Sequence, residues 1–514
     1  MWDEKSIKTL KDKRAAHEAG GGAARVEKQH ASGKMTARER MDYLFDRGTF
    51  TEVNTLVESR ISDFGMDKKK VLGDGVVTGY GRINGKLVFA SSQDFTVGGG
   101  SLGEAQAQKI CRIMDMAYDN RAPFVSVNDS GGARIEEGID SLSGYGGIFY
   151  RHSRYSGVIP QIAVIMGPCA GGACYAPALC DFIFMTDSTS QMYITGPAVI
   201  KAVTGETVTT DELGGAGVHT QKSGVAHFSY PDDKSCLNGV RQLLGYLPSN
   251  FEDKGKPFDE DAITRATNFQ AIVPDNKKAS YDMRRVIEEI ADRGTFLEVQ
   301  ADWAKNIVIG FIRMGHKTVG VVANQPNQLA GSLDFNAGDK AARFIRFCDC
   351  FDIPILTLVD VPAFLPGKQQ EYSGIIRHGA KMLYAYSEAT VPKVSVILRK
   401  AYGGAYIAMN SKGMGADMVF AWPIAEIAVM GADGAANIIG RKKIEAAEDK
   451  AAARAEIIAE YEEKFMNPYV AAARGFVDEV ILPEETKSRV VNAFVMLENK
   501  KQSLPAKKHG NLPL

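Results

Sequence analysis

Two pairs of adjacent glycines are the residues of this sequence best suited to chemistry. Each pair comes soon after an apolar run typical of a buried strand: Gly171 and Gly172 after residues 162–166, and Gly403 and Gly404 after residues 394–398. Adjacent glycines let the backbone turn sharply and approach a ligand with its N–H groups. Each pair therefore predicts an oxyanion hole, in which one lost donor typically costs about 3–4 kcal/mol. Two such holes suit a reaction that develops negative charge on two carbonyl oxygens, although tight packing of a helix on a strand would also explain either pair alone.

The elements that position these glycines also occur twice. The segment Arg47-Gly-Thr-Phe-Thr-Glu-Val53 recurs as Arg293-Gly-Thr-Phe-Leu-Glu-Val299, and Pro123 to Asp129 matches Pro354 to Asp360. Most matching positions, including Lys109 with Lys340, are separated by about 231 residues, close to the spacing of the glycine pairs. Agreement at so many points indicates a duplicated domain.

The length of the chain agrees with two domains. At 514 residues it exceeds what one hydrophobic core usually supports. Apolar strand-like runs alternate with helical patterns in both halves, which indicates an α/β fold. We expect an N-terminal domain at 1–255, a polar linker within 245–280, and a C-terminal domain at 270–505. Two helices, at about 5–19 and 36–45, precede the first copy of the repeat, and a capping box of Thr36 and Glu39 opens the second. They either pack on the outside of the repeat or form a solvated N-terminal arm. A hairpin is predicted around the Asn84-Gly85 turn, and a charged helix at about 443–465.

Two loops are further candidates for ligand binding. Asp129 is followed by Ser130-Gly-Gly-Ala-Arg134, and a strand that ends in such residues offers free amides to an anion or a carbonyl oxygen. A tight strand-to-helix turn explains the same residues equally well. In the second half, Pro366 and Gly367 are expected to occupy the place of this Ser-Gly-Gly loop.

Composition and missing motifs exclude several classes of protein. With 61 basic and 62 acidic residues the net charge is −1, so a broad nucleic-acid surface is not expected. The seven cysteines have no paired spacing, which favours reduced thiols without a metal site. There is no nucleotide-binding or dinucleotide-binding glycine motif, no zinc-protease motif and no nucleophile elbow. The charged start predicts no signal peptide, and the uncharged stretch 155–180 contains prolines and glycines that would break a membrane span, so we expect a cytoplasmic protein.

Five ordered motifs resemble those of a known family. They are Ser130-Gly-Gly-Ala-Arg-Ile-Glu-Glu-Gly138, Gly167-Pro-Cys-Ala-Gly-Gly-Ala173, Pro362-Ala-Phe-Leu-Pro-Gly367, Ile375-Ile-Arg-His-Gly-Ala-Lys381 and Arg399-Lys-Ala-Tyr-Gly-Gly-Ala405. Together they are similar to the carboxyltransferase subunits of biotin-dependent acyl-CoA carboxylases, transcarboxylases and decarboxylases. The resemblance covers nearly the whole chain.

The resemblance implies tandem crotonase-like (ClpP/crotonase) domains that bind acyl-CoA in one half and meet biotin from the other half of a partner subunit. It assigns one oxyanion hole to the amides of Gly171, Gly172 and Ala173, and the other to Gly403, Gly404 and Ala405. Because the sequence has no biotinylation signature, biotin must be carried by a separate protein. A hexamer built from dimers is implied, and a decarboxylase would also require a separate membrane subunit. The remaining candidates for substrate binding are Ser130, Gly131, Gly132, Ala133, Arg134, Pro366, Gly367 and Ile407. The side chains of Arg134, Arg399 and Lys400 are expected either to contact the phosphates of CoA or to form surface ion pairs.

One position favours a particular substrate within the family. Propionyl-CoA carboxylases often carry aspartate where this sequence has Ile407, and the Ile-Ala-Met variant is more similar to methylmalonyl-CoA decarboxylases and transcarboxylases. The sequence therefore favours methylmalonyl-CoA as the carboxyl donor. Alternatives are the β subunit of a propionyl-CoA or acetyl-CoA carboxylase, a biotin-independent crotonase-type enzyme, and a non-catalytic acyl-CoA-binding scaffold.

Overall fold

The computed structural model describes residues 3–259 and 267–514, and it contains two compact units, unit one (Met1–Asp253) and unit two (Lys254–Leu514). Residues 260–266, within the predicted linker, lie outside the described part of the chain. No helix among the described residues combines the length and the apolar composition that crossing a membrane requires.

The strands of unit one are β1 (Thr51–Val53), β2 (Val76–Ile83), β3 (Lys86–Gln93), β4 (Phe124–Ser130), β5 (Gln161–Ala170), β6 (Phe182–Thr186), β7 (Gln191–Tyr193) and β8 (Phe228–Tyr230). Its helices are α1 (Glu4–Glu18), α2 (Ala23–Ala31), α3 (Ala37–Leu44), α4 (Glu104–Asp119), α5 (Ile139–Tyr155), α6 (Gly172–Ala178), α7 (Pro197–Thr204), α8 (Thr210–Gly214), α9 (Ala216–Gln221) and α10 (Asp233–Tyr246).

The strands of unit two are β9 (Leu297–Val299), β10 (Ile307–Met314), β11 (Lys317–Asn324), β12 (Ile355–Val361), β13 (Lys393–Tyr402), β14 (Met418–Ala421), β15 (Glu426–Ala428) and β16 (Glu479–Val480). Its helices are α11 (Met283–Ile290), α12 (Phe335–Cys350), α13 (Lys368–Tyr372), α14 (Ile375–Glu388), α15 (Gly403–Ala408), α16 (Ala432–Ile439), α17 (Arg441–Ala446), α18 (Lys450–Phe465), α19 (Pro468–Ala473) and α20 (Thr486–Met496).

The two units have the same sheet topology. In unit one the strands follow the order β1-β2-β3-β4-β5-β6-β8, with β7 also paired to β5. In unit two the order is β9-β10-β11-β12-β13-β14-β16, with β15 also paired to β13. In each sheet the first three strands of the order are antiparallel and the following strands are parallel. The predicted duplicated α/β fold is therefore confirmed.

The repeated Arg-Gly-Thr-Phe segment closes a hairpin in each unit. Asp46, just before the first copy, accepts hydrogen bonds from the backbone N–H groups of Asn84 and Gly85, at 3.2 and 2.9 Å, in the β2–β3 turn. Asp292, just before the second copy, accepts one from the N–H of His316 at 3.0 Å in the β10–β11 turn. This motif therefore belongs to the fold and carries no chemistry of its own.

A buried carboxylate lies near the end of the central strand of unit one. Asp129 on β4 accepts hydrogen bonds from Lys34 Nζ at 3.0 Å, Arg40 Nη1 at 2.9 Å and Gln29 Nε2 at 3.2 Å. All three donors belong to the N-terminal segment that precedes the repeat. Because an uncompensated buried charge is very costly, this segment is part of the folded unit. A solvated N-terminal arm, the alternative reading of these helices, does not fit.

Unit two neutralises the matching carboxylate differently. Asp360 on β12 accepts hydrogen bonds from Arg399 Nε at 2.8 Å and from the backbone N–H of Lys400 at 3.0 Å, both on the neighbouring strand β13. The position equivalent to Arg399 in unit one is Gly167, where a Cβ atom would lie only 1.8 Å from Asp129 Oδ1. In unit two the cation that pairs with the buried aspartate lies within the repeat, on the neighbouring strand. In unit one the cations come from the N-terminal segment, which precedes the repeat.

Three local predictions were incomplete. Helix α2 was not predicted, because its register depends on the contact of Gln29 with Asp129, 100 residues away. The single helix expected at 443–465 is divided into α17 and α18, because the side chain of Asp449 caps α18 by accepting hydrogen bonds from the N–H groups of Ala451 and Ala452. Strand β5 continues to Ala170, past the predicted end of its apolar run.

Candidate functional site

Each glycine pair lies where a parallel strand changes partners. Strand β5 pairs with β6 as far as Ile165 and then with β7 from Pro168 to Ala170. Strand β13 pairs with β14 as far as Ile397 and then with β15 from Lys400 to Tyr402. The glycines follow directly, at the carboxyl ends of parallel strands, where open α/β sheets usually bind ligands.

The first glycine of each pair has a left-handed backbone conformation. The φ angle is +62° at Gly171 and +57° at Gly403, a region that favours glycine because it has no Cβ atom. The N–H of Gly171 donates to Tyr193 O on β7 at 3.1 Å, which fixes the turn to the sheet. The chain then enters a short helix, α6 or α15, whose first N–H groups have no acceptor within the helix. Of the predicted oxyanion-hole donors, Gly172, Ala173, Gly403, Gly404 and Ala405 are such helix-start amides. The expectation for Gly171 was wrong, because its N–H is already used by Tyr193 O.

The surroundings of the second glycine differ between the units. A Cβ atom built on Gly404 would meet nothing within 4 Å, so no other part of the unit packs against this glycine on that side. A Cβ atom built on Gly172 would lie 3.1 Å from the ring of Tyr145, so this glycine rests directly on α5. The side chains of Ala173 and Ala405 are buried and hold both short helices against their units.

The Ser130 loop adjoins the first glycine pair. Ser130 pairs in register with Cys169 on β5, and a Cβ atom on Gly132 would lie 3.1 Å from Ala170 O. The N–H of Gly131 donates to Gly99 O at 3.0 Å, and Ala133 bridges Leu102. The structure therefore brings Ser130, Gly131, Gly132 and Ala133 together with Gly171, as the sequence predicts for one site.

The side chain of Arg134 points into unit one. Its Nη1 donates to Asp74 Oδ1 at 2.9 Å and to Glu137 Oε1 at 2.7 Å, and its Nη2 donates to Ser101 O at 3.1 Å. The residue is only 5% exposed, and Arg399 is only 2% exposed. Their side chains therefore form buried ion pairs, in contrast to the phosphate contacts or surface ion pairs expected from the sequence. The backbone N–H of Arg134 donates to Leu102 O at 2.9 Å, so this residue does not supply the free amide expected from the sequence.

The expected equivalence of Pro366 and Gly367 with the Ser-Gly-Gly loop was wrong. The bridge of Leu102 to Ala133 in unit one corresponds to the bridge of Leu333 to Phe364 in unit two. This register places residues 361–363 opposite Ser130 to Gly132, and Pro366 and Gly367 lie further along the chain. Gly367 has a φ angle of +136° and open space around it, and it begins α13.

Ile407 lies one helical turn from the second glycine pair, on α15. Its exposed fraction is 45%, and that of Tyr175, at the same place on α6, is 48%. A large apolar side chain therefore borders each glycine pair on its outer side. This placement suits a residue that contacts substrate, as predicted.

The structure adds a charged group that the sequence did not reveal. The hydroxyl of Tyr402, the residue before Gly403, donates to Glu426 on β15, and the same carboxylate pairs with Lys277. Burial, and then the neighbouring Glu426 carboxylate, raise the pKa of Tyr402 above its usual value. No local sequence signal joins these three residues, because each comes from a different segment. In unit one the matching positions are Ala170 and Gln191, so only the second glycine pair has this support.

No group of three or more His, Cys, Asp or Glu side chains within residues 3–259 and 267–514 is placed to hold a metal ion. The groups that the structure places at the glycine pairs are backbone N–H donors at the starts of α6 and α15. Such donors stabilise an oxyanion that forms on a bound carbonyl group.

The two units share one α/β fold and a glycine turn at the same place in each sheet, and the comparisons with known proteins identify the family. The model of the carboxyl transferase domain family matches residues 28–512, so the chain belongs to this family. The match confirms both the expected family and the tandem crotonase-like fold.

Relatives with assigned activities are similar over their full lengths. The chain is 58% identical to methylmalonyl-CoA decarboxylase subunit alpha of Propionigenium modestum, covering 99% of each chain. It is 55% identical to the propionyl-CoA carboxylase beta chain of Roseobacter denitrificans, also covering 99% of each. It is 56% identical to the methylmalonyl-CoA carboxyltransferase 12S subunit of Propionibacterium freudenreichii subsp. shermanii, covering 99% of this chain and 97% of that one.

A solved structure has the same fold throughout. The structure of transcarboxylase 12S, a hexamer crystallised with methylmalonyl-CoA and methylmalonic acid, has a TM-score of 0.97 and 55% identity. The match covers 100% of this chain and 99% of that one.

Proposed function

We propose that this chain moves a carboxyl group between methylmalonyl-CoA or propionyl-CoA and biotin attached to a separate carrier protein. Residues 1–255 and 270–505 would form its N-terminal and C-terminal acyl-CoA carboxyltransferase domains. The observation that carries the proposal is the pair of matched glycine turns, each followed by helix-start amides without acceptors in the helix.

The two glycine turns provide N–H donors for one oxygen of each reactant. When a carboxyl group leaves methylmalonyl-CoA, negative charge develops on the thioester oxygen as an enolate forms. Donors at Gly172 and Ala173, or at Gly403, Gly404 and Ala405, would stabilise that oxygen, and the other set would stabilise the ureido oxygen of the second reactant. Biotin supplies the nitrogen that accepts or returns the carboxyl group. Because the donors are fixed by the sheet, they need no reorganisation as the charge develops.

The neighbouring residues shape the substrate pockets. The loop from Ser130 to Arg134 adjoins the first turn and would contact the acyl-CoA through its backbone. Pro366, Gly367 and Ile407 would line the second pocket. The apolar side chain of Ile407 and the 58% identity to a methylmalonyl-CoA decarboxylase subunit favour methylmalonyl-CoA as the carboxyl donor.

The partners of the chain are proposed from its similarity to known proteins. The hexameric transcarboxylase 12S relative supports a homo-hexamer, and exposed apolar side chains on α7 and α16, including Val203 and Ile438, suit subunit contacts. A biotin carrier protein is required. We place the protein in the cytoplasm. If the chain acts in decarboxylation, it would also bind a membrane decarboxylase subunit.

Biotin-dependent release of CO₂ from methylmalonyl-CoA tests the function. The purified chain is assayed with biotin or a biotinylated carrier, with malonyl-CoA in parallel. We expect turnover that requires biotin and favours methylmalonyl-CoA. Turnover of malonyl-CoA alone would favour an acetyl-CoA enzyme, and release without biotin would favour a biotin-independent enzyme. No turnover with a biotinylated carrier would favour the scaffold.

Gly404→Ala tests the second oxyanion hole directly. The added methyl group touches nothing in the chain, so folding should be unchanged. Since it occupies the space where a ligand oxygen would approach, kcat should fall about 100-fold or more, comparable to losing one donor. Gly413→Ala is the matched control, because the nearest atom to its Cβ atom is Ser411 Oγ at 4.0 Å. Full activity in Gly404→Ala would refute the assignment of this hole.

A further inference from the structure

A small internal cavity lies beneath the first glycine pair. Its volume is about 20 Å³, and it is enclosed by residues of β3, β4, α4, α5 and α6, including Gln93, Tyr145, His152 and Ala173. A space of about 10–15 Å³ by the same measure is enough for one water molecule, provided that polar groups surround it. The cavity is therefore large enough for a single water.

Two polar atoms of the lining have no protein partner. Among the residues that the structure describes, no protein group forms a hydrogen bond with Gln93 Oε1 or Tyr145 Oη, and both atoms are shielded from solvent. The exposed fractions of these residues are 6% and 5%. Ser130 is the polar side chain nearest in effect to the Tyr145 phenol and acts to lower its pKa, but it does not reach hydrogen-bonding geometry with Tyr145 Oη. Leaving such groups unsatisfied costs about 1–3 kcal/mol each.

The orientation of the Gln93 amide is determined by its neighbour. The side-chain NH₂ group of Gln106 donates to three backbone carbonyls, those of Asp74, Gly75 and Ser101, at 3.1–3.3 Å. Gln106 must therefore present its Oε1 atom to Gln93, which donates to it through Nε2 at 3.2 Å. The atom left over on Gln93 is an acceptor.

In unit two the amide at the end of the corresponding strand is satisfied by protein groups. Asn324 ends β11 as Gln93 ends β3. The amide of Asn324 bonds to both backbone groups of Asp360, accepting from its N–H at 2.7 Å and donating to its carbonyl. The position that matches Tyr145 is Ile376, which carries no hydroxyl group. Only unit one therefore contains the two unsatisfied atoms together.

We propose that the cavity beneath the first glycine pair binds one ordered water molecule, which joins Gln93 Oε1 to Tyr145 Oη. Only a ligand that both donates and accepts hydrogen bonds satisfies an amide oxygen and a phenol together, and water is the smallest such ligand. The ring of Tyr145 is the surface on which Gly172 rests. The water therefore holds in place the side chain that supports the first predicted oxyanion hole.

A crystal structure at a resolution that shows ordered water is the first test. We expect a peak at hydrogen-bonding distance, about 2.6–3.2 Å, from both Gln93 Oε1 and Tyr145 Oη. A clear map without such a peak would overturn the proposal.

Thermal unfolding of two single variants is the second test. If the water is present, Tyr145→Phe loses a hydrogen bond, and Tm should fall by about 2–4 °C. If the cavity were dry, the same change would remove an unsatisfied hydroxyl and Tm would stay or rise. Ser92→Ala is the matched control, since Ser92 Oγ is also buried without a partner but projects to the opposite face of β3. Its Tm should stay or rise, and a Tyr145→Phe variant that behaves like it would contradict the proposal.

A double variant distinguishes a shared water from two separate effects. No hydrogen bond joins Gln93 to Tyr145, so Gln93→Met and Tyr145→Phe should be additive unless something connects them. With a shared water, the double variant should lose less Tm than the sum of the single losses. Additive losses would exclude the bridge.

Discussion

Arg40 should be essential to the stability of unit one. Its fully buried guanidinium donates to Asp129 at 2.9 Å, to Asp233 at 2.8 Å and to Met166 O at 2.9 Å. In Arg40→Met the two carboxylates keep partial compensation, from Lys34 and Gln29 at Asp129 and from the backbone N–H of Met35 at Asp233. Removing one partner from a buried ion pair typically costs about 3–5 kcal/mol.

That cost corresponds to a large shift in unfolding temperature. For a unit of this size, about 1 kcal/mol lowers Tm by roughly 2–4 °C, so Arg40→Met should lower the transition of unit one by about 6–20 °C. Differential scanning calorimetry measures it directly. Arg399→Met should affect the transition of unit two in the same way, because Asp360 then loses its cation while keeping the backbone N–H of Lys400.

An exposed ion pair provides the control. Arg441 donates to Glu445 at 2.9 Å, but the two side chains are 75% and 63% exposed. Because water screens such pairs, Arg441→Met should cost less than about 0.5 kcal/mol. If Arg40→Met lowered Tm no more than Arg441→Met, the argument that the N-terminal segment neutralises Asp129 would be refuted.

Two further predictions concern unit one. Burial lowers the pKa of His152 to about 4, below its unfolded value of about 6.5. Between these pH values the unfolded chain therefore binds more protons than the folded chain. The free energy of unfolding should fall by about 3 kcal/mol as pH falls across this window. Thermal unfolding of His152→Gln from pH 6.5 to 4 should show a shallower decline, and equal slopes would contradict the burial argument. Gly167→Ala places a Cβ atom 1.8 Å from Asp129 Oδ1 and should cost about 3 kcal/mol or more, measured by soluble yield and Tm. Gly217→Ala, which meets nothing within 4 Å, should leave both unchanged, and equal behaviour of the two variants would show that the contact is unimportant.

Local patterns predicted the elements whose causes are local. The Asn84-Gly85 turn and the alternating apolar residues around it located the β2–β3 hairpin. The capping box of Thr36 and Glu39 located the start of α3, and both of its hydrogen bonds are present. The two turns at the glycine pairs could be predicted because the turn depends on the glycines themselves, which are visible in the sequence.

Contacts between distant segments explain what the sequence did not reveal. The burial of Arg134 depends on Asp74, and the support beneath Gly172 depends on Tyr145, which lies in another helix. Strand β5 passes through Gly167 and Pro168 because β7 pairs with its last residues. No periodicity in the sequence records such pairings, so the extent of the strand and the surroundings of the site required the structure.

Each central strand changes its pairing partner just before its glycine pair. The strands that pair with the main part of the sheet are therefore different from the strand that pairs next to the predicted donors. The segment between β6 and β7 in unit one is held by hydroxyls, with Thr186 bonded to Thr189 and Ser190 bonded to Thr186 O. In unit two the corresponding segment is anchored by buried Trp422, whose Nε1 donates to Thr486. Substitutions in these connections could shift a donor set by fractions of an ångström while the main ladder stays intact. Each unit thus holds its glycine turn through a connection of different chemistry, hydroxyl groups in unit one and an indole in unit two.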